Sequence, residues 1–206
     1  MKTLDLKKQF KHLYQPSAKQ FSIVDVPSMN FLMVDGSGDP NTSAEFQAAT
    51  EALYGVSYGL KFGVKQGKYG ETAYDYPVMA LEGLWWVDDM AHFSVEAKGL
   101  WHWTAMIMQP DIITAALVEA ACADVAQKKN PAALSKIRFE PYHEGPSAQI
   151  TYFGPFKDEG PTIARLHAFI EASGHQLRGK HHEIYLSDFR RTAPEKLKTV
   201  IRQPLV

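Results

Sequence analysis

PSMNF at Pro27–Phe31 returns 119 positions later as PSAQI at Pro146–Ile150. Each copy leads into a turn rich in glycine and proline, and then into a segment with apolar residues at helical spacing. Two segments of β-branched and aromatic residues follow each helical segment. The shared order predicts two units of strand, helix, strand and strand, one over residues 20–108 and one over residues 135–206.

The first unit contains the clearest signals for these elements. Apolar and β-branched residues over 21–34 predict a strand that is interrupted at Pro27, because proline lacks the N–H that pairing in a sheet requires. Thr42 and Glu45 have the spacing of a capping box. This pattern predicts a helix over about residues 43–56.

The remaining segments connect and flank the two units. Residues 54–76 are rich in Gly and Tyr without a clean period, and are predicted to be irregular or partly helical. Segments 78–87 and 99–108 predict a hairpin of two strands, and an apolar stripe predicts a connecting helix within 109–131. Residues 1–19 are predicted to be an arm that docks through three side chains, Phe10, Leu13 and Tyr14.

These elements predict an α+β protein with a single domain over residues 1–206. We expect the two duplicated units to form one continuous antiparallel sheet with the helices on one face. The other face is then free to form a ligand cleft at the pseudo-two-fold axis that relates the units.

Composition argues against several classes of protein. The 22 Lys and Arg residues against 23 Asp and Glu give a net charge of −1, which lacks the basic excess that nucleic-acid binding requires. Cys122 is the single cysteine, so an internal disulfide is impossible. Neither an apolar leader nor a run long enough to span a bilayer is visible. We therefore expect a cytoplasmic protein without direct contact to nucleic acid or membrane.

The histidines do not indicate a metal site. His181 and His182 precede Glu183 directly, whereas a helical zinc site places its ligands four residues apart. The turn at 35–39 lacks the glycine spacing of a phosphate-binding or dinucleotide-binding loop. The sequence therefore predicts no metal and no cofactor.

One predicted strand near the end of the chain carries the candidate catalytic residues. Glu183 and Tyr185 share one face of this strand, while Ile184 and Leu186 point to the other. If the apolar pair packs under the helices, the polar pair faces the open cleft. A carboxylate among aromatic side chains is expected to have a raised pKa and to act as a general base, with Tyr185 orienting water or donating to the substrate. The alternative is a solvated carboxylate on an edge strand.

Aromatic residues, 12% of the chain, suggest the walls of a site for a flat ligand. The same alternation predicts that Glu82, as the counterpart of Glu183 in the first unit, faces the cleft together with Trp86, and that Trp85 lies in the core. Aromatic rings stack on flat ligands and attract cations. The residues expected to bind the ligand are Trp86, Glu82, Trp103, Trp101, Tyr142 and Phe153. The alternative for each Trp is an ordinary place in the core.

Four motifs in this order resemble the stand-alone branch of the GyrI-like small-molecule-binding family: YQP at Tyr14–Pro16, the stretch Val26–Asn41, LEGLWW at Leu81–Trp86 and EIYLSD at Glu183–Asp188. The resemblance implies a tandem repeat of the strand, helix, strand, strand unit. It also implies a cleft for flat, often cationic, hydrophobic compounds. At the last motif, it implies that Glu183 is the acidic residue of the pocket.

The resemblance leaves two classes of function open. Stand-alone members are associated with hydrolysis of cyclopropane-bearing, DNA-alkylating natural products of the duocarmycin type, which implies a detoxifying hydrolase for planar small molecules. The alternative is a binding module that sequesters drugs or contacts a protein such as DNA gyrase. Some regulators of the family carry a helix-turn-helix module before this domain, and the 20 residues before the first predicted strand are too few to form one.

Overall fold

A six-stranded sheet and three long helices make up most of the described chain. The computed structural model describes residues 2–69, 73–94 and 97–206. The strands of the sheet are β1 (Ser22–Ser37), β2 (Leu81–Trp86), β3 (His102–Gln109), β4 (Arg138–Phe153), β5 (His181–Tyr185) and β6 (Lys198–Pro204). The long helices are α1 (Ala44–Lys65), α2 (Ala115–Lys128) and α3 (Gly160–Ala172). Shorter elements are the helices Leu6–Gln9 and Lys11–Tyr14, the paired strands Lys2–Thr3 and Tyr74–Asp75, and 3₁₀ turns at Met90–His92, Lys98–Leu100, Leu134–Lys136, Phe156–Asp158 and Pro194–Lys196.

The sheet is antiparallel throughout, with the strand order β1-β3-β2-β5-β6-β4. In the first half of the chain, the first strand pairs with the third and the third with the second, and the second half has the same order. The prediction of an α+β protein with an antiparallel sheet is confirmed. The sheet also closes on itself, because β4 returns to pair with β1 from Ser22 opposite Gln149 to Met33 opposite Arg138.

β1 runs through Pro27 without the predicted interruption. Val26 pairs with Gly145 and Ser28 with His143, so the ladder continues on both sides of the proline. Its missing N–H therefore interrupts the pairing at one position only.

α1 begins one residue later than the capping pattern predicts and ends about nine residues later. The Ser43 hydroxyl, rather than Thr42, accepts from the Phe46 N–H at 3.2 Å. The helix continues to Lys65 through a stretch that the sequence predicts to be irregular or partly helical; residues 70–72 of that stretch lie outside the described residues. Gly59 faces α2, where an added Cβ would make an ordinary van der Waals contact with Val125 at 3.5 Å.

The helices lie on one face of the sheet and the N-terminal arm on the other. α1 packs over β1 and β3, and α3 packs over β4 and β6, which leaves the two central strands β2 and β5 between the helices. On the opposite face, Leu13 and Tyr14 of the arm are buried. The expected open cleft on the helix-free face is therefore wrong, because the arm covers that face and the gap lies on the helix side.

Candidate active site

A cavity of about 1360 Å³ lies above the two central strands, on the helix side of the sheet. α1 forms one wall along its length, and the turns around Phe156 and Phe189 line the cavity as well. Three side chains of β2 and β5 line its base: Trp85, Glu183 and Tyr185. They share one face because Trp85 pairs with His181 and Leu81 with Tyr185, in register with the Gly83–Glu183 pair.

Glu183 is held at both of its oxygens. The His181 ring nitrogen Nε2 lies 3.2 Å from Oε1, and the Tyr185 hydroxyl donates to Oε2 at 2.7 Å. Only 7% of Glu183 is exposed, and His181 is almost completely buried. The carboxylate therefore has a fixed orientation at the base of the cavity.

The pKa of Glu183 is lowered, contrary to the sequence-based expectation. Burial alone raises it, but the hydrogen bond to His181, the charge of that ring and the hydrogen bond from Tyr185 together outweigh burial. The expectation takes account of the aromatic surroundings, which raise the pKa, but not of the hydrogen-bond donors on the same strand face, which lower it. Glu183 is consequently ionised at neutral pH.

A second carboxyl group, Glu159, lies against the first. It precedes α3, is 2% exposed, and makes no hydrogen bond that caps the helix. Burial, followed by the charge of Glu183, raises its pKa to about 10. Two close carboxylates cannot both ionise in a dry site, so one remains protonated. The cavity therefore holds an ionised Glu183 next to a neutral Glu159.

Tyr185 and Trp85 place two further polar groups beside the carboxyl pair. Burial and then the charge of Glu183 raise the pKa of Tyr185 well above its ordinary value of 10.0, so it remains a phenol. Its hydrogen is directed at Glu183, and its oxygen can still accept a hydrogen bond from water. The buried Trp85 Nε1 completes no hydrogen bond of normal geometry within the described residues. This N–H interacts with the Tyr185 hydroxyl and opposes the rise in the pKa of that group.

Gly83 determines where the Trp85 ring lies. A Cβ on Gly83 would come within 2.8 Å of three atoms of the indole, so the ring lies back over the glycine. Gly83 is also the residue that pairs with Glu183 across the strands. The missing side chain therefore places the indole beside the carboxylate.

Aromatic rings continue the walls around this polar centre. The Phe156 ring meets Tyr185 edge-on at 5.4 Å and Phe189 at 6.4 Å, and Trp101 lies 5.2 Å from Trp85. The Lys98 ammonium lies 5.3 Å from the centre of the Trp101 ring and provides a positive charge at the same rim. Such walls suit a flat, largely apolar molecule.

Among the predicted ligand-binding residues, Trp101 lines the cavity and Trp103 does not. Trp103 is fully buried beneath it, edge-on to Phe46 at 5.1 Å. Phe153 is 56% exposed at the end of β4, outside the cavity lining. Tyr142 meets Phe31 at 6.3 Å and is likewise absent from the lining.

Glu82 and Trp86 lie on the face opposite the cavity, so their expected place in the cleft is wrong. Glu82 is completely buried and accepts from the Tyr14 hydroxyl at 2.6 Å. The Trp86 ring lies under the Lys180 ammonium, at 3.4 Å. The physical reason is the alternation itself, since the apolar Ile184 packs on the arm side and Glu183 points toward the helices.

Glu82 belongs to a buried ionic network that joins the arm to the sheet. His182 contacts Glu82 Oε2 through Nε2 at 3.0 Å and Glu144 Oε1 through Nδ1 at 2.9 Å. The Arg202 guanidinium lies 3.2 Å from the same Glu144 and donates to the backbone carbonyl of Leu13 at 2.7 Å. The opposite charges compensate one another, which makes their burial possible.

Three contributors to the cavity are absent from the sequence-based prediction. Trp85 lies in the core, as predicted, at 1% exposure, but it also lines the cavity, which the prediction did not include. The aromatic residues of α1 are visible in the sequence at helical spacing, from Tyr54 through Tyr58 to Phe62. No sequence pattern connects Glu159 with Glu183, because only the packing of α3 on the sheet brings them together.

The geometry defines a class of protein. A cavity with an ionised carboxylate, a neutral carboxyl, an indole N–H and aromatic walls is a site for a small molecule. None of the helices in the described part of the chain has the length and apolar character needed to cross a membrane.

The chain belongs to the GyrI-like family, whose small-molecule-binding domain matches residues 98–206. A conserved protein from Listeria innocua described as uncharacterized is 38% identical, with a TM-score of 0.87 over 98% of this chain and 100% of that one. A hydrolase from Listeria innocua is also 38% identical, with a TM-score of 0.85 and complete coverage of both chains. The recognised family is therefore confirmed.

A more distant structure shares the fold alone. The C-terminal domain of EcmrR is 11% identical, with a TM-score of 0.57 over 91% of this chain and 97% of that one. A comparison with curated proteins gives no match.

Proposed function

We propose that this protein hydrolyses a planar electrophile in the cavity, with Glu183 as the general base. The substrate class is cyclopropane-bearing, DNA-alkylating natural products, and the role is detoxification in the cytoplasm. The observation that carries the proposal is the pairing of an ionised Glu183 with a neutral Glu159 inside aromatic walls. The description of a relative at 38% identity as a hydrolase supports the reaction type.

The proposed reaction adds one water to a spiro-cyclopropyl dienone. Glu183 takes a proton from a water molecule while the oxygen of that water forms a bond to a cyclopropane carbon. The strained carbon–carbon bond breaks, and its electron pair moves into the ring to form a phenolate. Glu159 or the Trp85 N–H stabilises the developing oxyanion. The proton that Glu183 took from water then passes through solvent to the phenolate, which yields the phenol and restores the Glu183 carboxylate.

Tyr185 acts in this scheme through the base and the water. Its hydroxyl hydrogen orients Glu183, and its oxygen accepts a hydrogen bond from the attacking water. The lowered pKa weakens Glu183 as a base, and its fixed position compensates for this because orientation reduces the entropic part of the barrier.

The proposal also concerns the organisation of the whole chain. We propose that residues 20–108 and 135–206 are duplicated units within one domain, because both halves have the same element order and the same pairing order. The cavity then lies where the two units meet, above β2 and β5, which places the site at the pseudo-two-fold axis.

The test is hydrolysis by Glu183→Gln compared with the parent protein. Product mass should show the gain of one water in the parent, and the variant should lose about 100- to 10,000-fold in rate, the usual contribution of a general base. Binding of a planar cationic dye such as a rhodamine should persist in the variant at micromolar affinity. Glu195→Gln, at an exposed position, is the matched control and should retain parental rates.

Two results would contradict the proposal. A Glu183→Gln rate within a few-fold of the parent excludes Glu183 as the base. Dye binding without any hydrolysis by the parent protein favours the second candidate, a non-catalytic protein that sequesters planar cations. The lowered pKa of Glu183 is the observation in favour of that candidate, because a permanent anion among aromatic rings attracts cations.

A further inference from the structure

Glu159 lines the cavity and does not cap the helix that follows it. It precedes α3, and its side chain makes no hydrogen bond to the first N–H groups of that helix. Its backbone carbonyl accepts from the N–H groups of Thr162 and Ile163 at 2.9 and 3.0 Å, which fixes the backbone at this point. The residue is only 2% exposed, and its Oε1 completes no hydrogen bond of normal geometry within the described residues. Such buried polar atoms are rare in native proteins and are typical of a catalytic role.

Packing holds Glu159 against the face of β5 that carries Glu183. Thr199 of β6 pairs with Tyr185, and its fully buried side chain interacts with the Glu159 carboxyl group. Phe156, in the turn that leads to Glu159, meets the Tyr185 ring edge-on at 5.4 Å. The carboxyl groups of Glu159 and Glu183 interact directly, through charge and through a hydrogen bond. The two groups therefore stand side by side at the base of the cavity.

The opening of a cyclopropyl dienone does not require a proton donor beside the base. The electron pair of the breaking bond moves through the ring to a carbonyl oxygen on its far side. The phenolate that forms is a stable leaving group, so it departs without prior protonation. In that reaction Glu159 contributes a hydrogen bond to the oxyanion and transfers no proton.

An epoxide makes use of both carboxyl groups. Its leaving oxygen is bonded to the attacked carbon, so the acid and the base of its hydrolysis must stand next to each other. The leaving group is an alkoxide, which is far more basic than a phenolate and departs readily only if an acid protonates it as the bond breaks. A carboxyl group that stays protonated beside an ionised one satisfies both conditions.

We propose that the cavity has a second activity, the hydrolysis of epoxides carried on planar aromatic ring systems, with Glu183 as the general base and Glu159 as the general acid. The inference rests on the proposed function only in assigning the base to Glu183. It differs in the substrate class and in the role of Glu159, which here transfers a proton. The aromatic walls, among them Trp101 and Phe156, bind the ring system beside the carboxyl pair.

The proposed step converts an epoxide and one water into a 1,2-diol. Glu183 takes a proton from a water molecule while the oxygen of that water forms a bond to one epoxide carbon. The bond between that carbon and the epoxide oxygen breaks, its electron pair stays on the oxygen, and this oxygen takes the proton of Glu159. Glu183 is then neutral and Glu159 is ionised. One proton that passes across their contact restores the resting state, so water is the only co-reactant.

The test uses phenanthrene 9,10-oxide, a planar epoxide, as the probe. The parent protein should convert it to the trans-dihydrodiol, because water attacks the carbon from the side opposite the breaking bond. In water labelled with heavy oxygen, one labelled atom should enter the diol in the first turnover, since water is the nucleophile. Glu159→Gln should lower kcat/KM for this oxide by about 100- to 10,000-fold, the usual contribution of a general acid.

The cyclopropane reaction separates the two roles of Glu159. The amide of Glu159→Gln still donates a hydrogen bond to an oxyanion but transfers no proton, so this variant should open a cyclopropyl dienone within about tenfold of the parental rate. Glu183→Gln should lose both activities. Glu171→Gln, at an exposed position of the same helix, is the matched control and should retain both. Thermal unfolding and the binding of phenanthrene show that each variant keeps its fold and its aromatic walls.

Three results would overturn the inference: no diol formation by the parent above the rate in buffer, a first turnover without labelled oxygen in the diol, or undiminished hydrolysis of the oxide by Glu159→Gln. The first two are measured on the parent and therefore do not depend on the folding of a variant. A parent that opens the dienone but not the oxide refutes this inference and leaves the proposed function standing. Hydrolysis of the oxide alone refutes the proposed substrate class and leaves this inference standing.

Discussion

Gly83→Ala is the most informative single change in the cavity, because it displaces one ring without removing any chemical group. The new Cβ would lie 2.8 Å from three atoms of the Trp85 indole. Favourable carbon contacts begin near 3.5 Å, so the ring must move by roughly 0.7 Å. The ring lies over Gly83, the residue that pairs with Glu183 across the strands, so such a shift alters the aromatic wall next to the carboxylate.

Two magnitudes follow from this displacement. Overpacking in a buried site lowers the free energy of unfolding by about 1–3 kcal/mol, which urea denaturation can measure. A misplacement approaching 1 Å near reacting groups lowers a rate by up to about 100-fold. We therefore expect Gly83→Ala to weaken rhodamine binding and to reduce hydrolysis by about ten- to 100-fold.

Gly99→Ala is the matched control for this change. A Cβ at Gly99 has no atom within 4 Å, and the residue is exposed in the same connection between β2 and β3. Its stability and dye affinity should match the parent. If Gly83→Ala behaves like Gly99→Ala in both measurements, the Trp85 ring does not shape the site and the reasoning is refuted.

Two predictions concern the ionic network on the opposite face. Arg202→Ala should lower the free energy of unfolding by about 3–5 kcal/mol in urea denaturation, because it leaves the buried Glu144 carboxylate without one of its partners; an unchanged midpoint would contradict this. Burial disfavours charge on His182, but Glu144 and Glu82 outweigh burial and raise its pKa to about 9. Charged His182 therefore contributes its full stabilisation below its ordinary pKa of 6.5, and this contribution is lost as the pH rises to about 9. The melting temperature should decrease over that range, and less steeply in His182→Gln.

The stabilisation that Glu144 contributes to the same network depends on pH in the opposite direction. Burial opposes the charge of Glu144, but His182 and Arg202 outweigh it and lower its pKa to about 2. The stabilisation from ionised Glu144 is complete above its ordinary pKa of 4.5 and is lost as the pH falls toward 2. Stability from this network should therefore be greatest between about pH 4.5 and 6.5, and a melting temperature that rises above pH 7 would contradict the account.

The sequence predicts where the strands and helices lie better than it predicts which face of each strand points to the helices. The runs at Pro27 and Pro146 identify strands that the structure confirms, because local apolar content and turn residues act within a few positions. Whether Ile184 or Glu183 points to the helices depends on what covers each face. The arm covers one face and buries Leu13 there, a contact between distant parts of the chain that alternation does not reveal.

The candidate site shows the same limit. The sequence predicts that Glu183 and Tyr185 share a strand face because they stand two apart, and the structure places both in the lining of the cavity. Trp85 and Trp86 are adjacent and point to opposite faces of the strand. Choosing the wrong face therefore predicts Trp86 in the cavity, whereas Trp85 lines it and Trp86 lies under Lys180. Glu159 enters only through tertiary packing, and it changes the electrostatics, since its neutral form depends on burial and on the charge of Glu183.

The ionisation of the carboxyl pair is the central claim, and infrared titration of the protonated carboxyl band tests it most directly. At pH 7 the parent should show a buried neutral carboxyl that persists to about pH 10. The band should vanish in Glu159→Gln and remain in Glu183→Gln. Absence of the band at pH 7, or its loss in Glu183→Gln while Glu159→Gln retains it, would contradict the account.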